Sequence, residues 1–182
     1  MIKQFAQILT VAAIGLTIGG CEEPPKVAAK KPPAADYQAL TPVRAPVTNL
    51  RAICYNEADL NAYRVRMAQQ SLVVGVLQCQ GPGGTRLYER QYTDFLNKFN
   101  PELATNAKEL QAVASKKRVN FNGMVTEIAN RTAGRAPVDP EFCSRQLRAF
   151  EWALTPGVTS LTQVPAPYDF GPEMNVHPCP AA

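Results

Sequence analysis

Histidine and tryptophan occur once each, at His177 and Trp152, and serine only four times, in a chain of 182 residues. A single histidine excludes multi-histidine metal centres, and with so few serines it removes most serine-hydrolase arrangements. No two cysteines are spaced as CxxC, so the usual signature of a zinc knuckle or of a thioredoxin-like redox pair is missing. Beyond the N-terminus no apolar run approaches the ~20 residues that cross a bilayer, which excludes a polytopic membrane protein. Formal net charge is only +4, and no dense basic stripe interleaved with aromatics occurs, so no nucleic-acid partner is expected. At 46% hydrophobic residues the composition is that of a single globular domain.

What the sequence does contain begins at its first residues. Lys3 is followed by an apolar run from Phe5 to Ile18, too short for a permanent span and of the right length for a secretory signal. Small residues then precede a cysteine, in Ile18-Gly19-Gly20-Cys21. This segment resembles the lipobox of bacterial lipoproteins, with Ile18 and Gly19 where that family usually has Leu and Ala or Ser. The resemblance implies that residues 1–20 are cleaved and that Cys21 is lipidated. It also implies a lipid anchor in a membrane facing the periplasm, the outer membrane rather than the inner because Glu22 follows the cysteine. Several acyl chains make such an anchor stable where one would not.

Proline divides the rest. Residues 21–50 and 156–182 hold six prolines each, whereas 51–155 hold four. The stretch Lys26–Ala35 carries no large apolar side chain and marks residues 21–50 as a disordered tether, of which roughly 25 residues would reach ~70 Å if straight. Residues 156–182 form a Pro-rich tail, which either lies on the domain or is bound by a partner.

Between them the apolar spacing is helical. Leu60, Tyr63, Met67, Val74 and Leu77 mark a helix over 59–78, ended by Gly81-Pro82-Gly83-Gly84. That glycine cluster lacks the Lys-Ser/Thr of a phosphate loop and reads as a turn. Thr85 is a candidate cap for a helix with the aromatic face Tyr88, Tyr92, Phe95 and Phe99. Asn100-Pro101-Glu102 carries a helix-start signature, as does Asp139-Pro140-Glu141. A further helix runs from about Asn120 to Thr132, closed by Gly134. No strand pattern stands beside these. The expectation is an all-α bundle of four or five helices over 51–155, braced by disulfides.

The run Leu72–Cys79, Tyr92-Thr93-Asp94-Phe95, Ile128-Ala129-Asn130 and Phe142-Cys143 is similar to small exported helical proteins of alphaproteobacteria. That resemblance implies an exported helical domain and brings no activity with it.

With Cys21 assigned to lipid, Cys54, Cys79, Cys143 and Cys179 remain, an even number in an exported chain. Cys54 and Cys79 bracket a helix about 30 Å long, so they cannot reach the ~7 Å a disulfide needs. Of the two connectivities left, Cys79–Cys143 with Cys54–Cys179 is preferred, because the first joins two helix ends and the second pins the tail.

Little points to catalysis. His177 sits near the C-terminus in Val176-His177-Pro178-Cys179, with no base or nucleophile that the sequence can place beside it. Glu89, Asp94, Glu102, Glu109, Glu127, Glu141 and Glu151 are scattered over helices, mostly off their apolar faces. No catalytic residue, metal or cofactor is assigned. The aromatic face reads as core, and Trp152, one residue off its stripe, as an exposed anchor for a partner. The expectation is a non-enzymatic, membrane-anchored envelope protein that docks another envelope protein. The alternative is a periplasmic small-molecule or lipid binder with a cavity between the aromatic helix and the Leu72–Leu77 segment.

Overall fold

Asn56 begins the first helix by accepting a hydrogen bond from the Asp59 N–H at 2.8 Å, with Glu57 and Asp59 in the first turn favouring its positive end. In this computed structural model, which describes residues 35–39 and 52–180, that helix is α1, Glu57–Gln78. The signal segment, Cys21 and most of the tether lie outside the described residues. Helices α2 (Glu89–Lys117), α3 (Phe121–Arg135) and α4 (Phe142–Leu154) follow.

α1 touches each of the other three helices and is buried on most of its circumference. It runs antiparallel to α2 and to α4, since Ala62 meets Asn106, Asp59 meets Lys117, and Cys79 is bonded to Cys143. Against α3 it places a buried hydroxyl pair, Ser71 and Thr132, 3.4 Å apart. Gly75 lets α4 approach so closely that an added Cβ would lie 2.7 Å from the Gln146 side chain. The aromatic face of α2 is core as expected: the Tyr92 and Phe95 rings both meet the edge-on ring of Phe150 at 6.2–6.5 Å.

Four helices rather than five result, because α2 runs straight through Asn100-Pro101. An interior proline costs about 3 kcal/mol. Against it stands one buried stripe that continues across the proline, with Phe95, Phe99, Leu103, Leu110 and Val113 at about 1.5–3 kcal/mol each. A start signature is local, and here the stripe crossing it prevails. Thr85 does not cap α2 either. Its hydroxyl donates to the Pro82 carbonyl inside the turn, where Gly83 and Gly84 take φ of 72° and 77°. Gly134 lies inside the last turn of α3 rather than after it.

Two three-residue strands, β1 (Ile53–Tyr55) and β2 (Val176–Pro178), pair in parallel with Cys54 opposite His177. They escaped the sequence reading because three residues carry no alternation to detect.

The Pro-rich tail packs on the bundle. Val158, Leu161, Val164, Ala166, Tyr168, Phe170, Met174 and Val176 are all buried in the common core. Met174 accepts the Tyr63 hydroxyl at its sulfur, and the Phe170 N–H approaches the Met67 sulfur at 3.3 Å. Trp152 is not a free anchor: half-buried, it donates from Nε1 to the Gln163 carbonyl at 2.7 Å. Tyr37, from within 21–50, is buried beside the tail, its hydroxyl donating to the Pro165 carbonyl and the Ala39 N–H to that of Pro167.

Phe170 is fully buried, stacked near Tyr168 and under the Arg135 guanidinium. Phe170→Ala is therefore expected to cost about 3–5 kcal/mol in urea unfolding, as for a central core aromatic. A cost below about 1 kcal/mol would mean that the tail does not complete the core.

Candidate functional site: the clasped tail and an adjoining groove

The four cysteines among the described residues are brought together in pairs. Cys79–Cys143 ties the end of α1 to the start of α4, with Cα atoms 5.6 Å apart. Cys54–Cys179 ties β1 to the end of the tail, with Cα atoms 4.5 Å apart. Lys117 supports this second pair by donating to the Cys54 carbonyl at 2.8 Å, lying 3.8 Å from Asp59 and over the Tyr55 ring.

Two polar clamps hold the tail between its ends. Arg131 and Arg135, one turn apart on α3, both donate to the buried Glu173 carboxylate, at 2.7 and 2.8 Å. In the other, Asp139 accepts the Tyr168 hydroxyl at 2.7 Å and the Arg145 Nε–H at 3.0 Å, while its second oxygen accepts the Glu141 N–H. Burial alone pushes the Asp139 carboxyl up. The three hydrogen bonds and the Arg145 charge outweigh it and hold the group below the ordinary carboxylate range. Burial and the bond to Asp139 push the Tyr168 hydroxyl up.

Three of the seven scattered carboxylates hold structure together. Glu102 accepts from the Ser160 hydroxyl and the Leu161 N–H, Glu127 pairs with Arg131, and Glu141 with Arg145. His177 is exposed on β2, opposite a cysteine whose sulfur is in a disulfide. Among the described residues no group of three or more His, Cys, Asp or Glu is placed to hold a metal ion, and no helix is long and apolar enough to cross a membrane.

Between the aromatic helix and the Leu72–Leu77 segment, where a ligand cavity was expected, Leu72, Val76, Phe95 and Phe99 are buried. Two depressions lie at the other end of α1 instead. A groove of about 230 Å³ runs between α1 and α2, lined by Ala58, Ala62 and Val65 on one side and Glu102, Asn106 and Glu109 on the other. A hollow of about 160 Å³ adjoins it between α1 and the tail, sharing Asn61 and Thr162 with it. Both are small beside the ~300–1,000 Å³ of typical small-molecule pockets.

Asn106 is the residue the sequence reading passed over. It is 3% exposed and occupies a core position of the α2 stripe, between Leu103 and Leu110. Its Nδ2 donates to the Ala62 carbonyl at 2.8 Å, which fixes the orientation of the amide, and its Oδ1 has no donor. Leaving such an acceptor unmet costs about 1–3 kcal/mol. An asparagine interrupting an apolar stripe was the available signal.

Comparison with protein-family models, with curated proteins and with solved structures finds no match to this chain.

The Asp139 clamp makes stability pH-dependent. Because its folded-state pKa lies below the ordinary value, the contribution is present above that value and disappears as pH falls through the folded one. Asp139→Asn is expected to melt lower than the parent at neutral pH, with the gap narrowing as pH falls below the ordinary carboxylate range. Parallel melting curves across that range would contradict the clamp.

Proposed function

We propose that the protein is a non-enzymatic lipoprotein of the cell envelope, a disulfide-braced helical module held on a lipidated tether and docking another envelope protein. The lipobox-like Ile18-Gly19-Gly20-Cys21 supports the anchor, and the Pro/Ala/Lys-rich stretch after it supports the spacer. Two disulfides accord with an oxidising compartment outside the cytoplasm. Glu22 after the cysteine favours the outer membrane over the inner.

The observation that carries the docking role is where apolar surface remains. Leu77, Leu87 and Val138 are the exposed large hydrophobic side chains among the described residues, at 47%, 49% and 69% exposure. All three lie at the end of the bundle tied by Cys79–Cys143, where α1 ends, α2 begins and α3 turns into α4. Apolar side chains left out of a well-filled core at one end suit a protein partner better than solvent. The small-molecule alternative draws support from the two small depressions beside α1 alone.

Crosslinking and co-purification of the membrane-anchored chain test the reading, with two variants. Cys21→Ala is expected to leave the membrane fraction and lose the partner. The Leu77→Glu, Leu87→Glu double variant is expected to stay anchored and lose most of the crosslinked product. A chain that purifies alone contradicts the docking role, and a Cys21→Ala variant that stays membrane-bound contradicts the anchor.

A further inference from the structure

We propose that Cys54–Cys179 is a reactive disulfide, opened by a thiol reductant while Cys79–Cys143 stays closed, and that opening it releases the tail. This chemistry lies beyond the docking role, at the end of the bundle opposite Leu77 and Leu87.

The two disulfides differ in the thiolate that each would leave behind. Exchange begins when a thiolate attacks one sulfur and expels the other, so the surroundings of the departing sulfur set the cost. Cys79 is 0% exposed and packed in the apolar core. Burial blocks attack on Cys79 itself, and attack on the half-buried Cys143 would expel Cys79 as a thiolate among apolar side chains, where the charge is strongly disfavoured.

Cys54 and Cys179 are both half-buried, and neither belongs to that cluster. The Lys117 ammonium donates to the Cys54 carbonyl at 2.8 Å, with Asp59 sharing it at 3.8 Å, so a cation is held within one residue of the Cys54 sulfur. A cation in that position stabilises a thiolate. His177 lies directly opposite Cys54 in the parallel register, and Cys179 follows two residues later, its N–H bonded to the Tyr55 carbonyl. Residues paired across strands, and residues two apart along one, share a face. The exposed imidazole therefore stands on the side of both sulfurs.

The reaction balances as two exchanges. A thiolate attacks Cys179 Sγ, the disulfide breaks, and Cys54 leaves as the thiolate near Lys117. His177 accepts the proton that the incoming thiol loses and passes it to Cys54. The second thiol of a dithiol reductant then attacks the reductant's own sulfur in the mixed disulfide, and Cys179 leaves and is protonated. The clasp gains two electrons and two protons, and the reductant becomes a disulfide.

Little else holds the end of the tail. β1 and β2 pair over three residues each, in the weaker parallel arrangement, and Pro178 has no N–H to offer. Opening the clasp uncovers Tyr63 of α1 together with Met174 and Val176 of the tail, an apolar surface concealed until then.

The test uses the full chain with Cys21→Ala, so that only the four paired cysteines can react and the result stands apart from the anchor. The native chain is treated briefly with dithiothreitol or reduced glutathione, quenched with acid, alkylated and mapped by peptide mass. Cys54 and Cys179 are expected to be freed roughly ten-fold faster than Cys79 and Cys143, and glutathione to be trapped on Cys179 with Cys54 free. His177→Ala, an exposed change, is expected to slow reduction by glutathione roughly five-fold at neutral pH. It should leave unchanged the reduction by a trialkylphosphine, which brings no thiol proton to remove. In the selectively reduced chain the amides from Met174 to Cys179 should exchange faster, the centre of α1 should keep its protection, and reoxidation should restore the tail. Equal reduction of both pairs, glutathione trapped on Cys54, or a His177→Ala effect that is absent or the same with both reductants would each overturn the proposal. So would a tail that stays protected after reduction, or a loss of protection that spreads to α1.

Discussion

The bond between Cys54 and Cys179 joins residues 125 apart, and the shape of the domain depends on it. Closing so long a loop removes much of the unfolded chain's freedom, an effect of about 4–5 kcal/mol in the loop-entropy picture. In the folded state it fixes both ends of the tail. One end leaves α4 at Thr155, where Lys98 donates to the Ala153 and Thr155 carbonyls, and the other is held in the β1–β2 pair. A segment with six prolines has few backbone donors to spend on regular structure. It becomes a wall of the core because its ends are pinned and Leu161, Tyr168, Phe170 and Met174 face inward between them. The two ion-pair clamps, at Glu173 and Asp139, then set its register along α3 and the start of α4.

α1 is the element against which this wall closes, and its central position has costs. Arg66 is buried, with Nη1 bonded to Gln69 and with Nε and Nη2 lacking any acceptor, so burial holds its pKa below the ordinary arginine value. Gln146, which packs against Gly75, is fully buried with neither end of its amide satisfied. No other element of the structure explains Gln146. Near the other end of α1, Asn106 of α2 packs against it, its Nδ2 held by the Ala62 carbonyl and its Oδ1 without a donor. Unmet polar groups thus occur on α1, α2 and α4 alike, and Arg66, Asn106 and Gln146 each lie where α1 packs or against it.

How much of this was legible depended on the range of the signal. The helices over 57–78 and 121–135 were readable because their apolar positions recur every three or four residues and their asparagine caps stand just ahead of them. Helix length, a distance the sequence itself supplies, removed one cysteine connectivity, and between the other two the preference for joining helix ends matched the pairs observed. The continuation of α2 through Pro101 was not readable from Asn100-Pro101-Glu102, since a local start signature says nothing of the stripe packed on either side. The docking of the tail was equally hidden: proline content describes what a backbone cannot form, not what its side chains bury. Asn106 stood in view as a polar residue on an apolar stripe, but its partner, the Ala62 carbonyl, lay on another helix.

The central claim is that residues 156–180 are core, held there by the Cys54–Cys179 clasp. Hydrogen exchange of the backbone amides from Leu161 to Val176 tests it most directly, comparing the parent with a Cys54→Ser, Cys179→Ser variant that keeps Cys79–Cys143. In the parent these amides should exchange as slowly as those in the centre of α1, and in the variant much faster than α1 itself. Fast exchange in the parent, or equal protection in both proteins, would contradict the account.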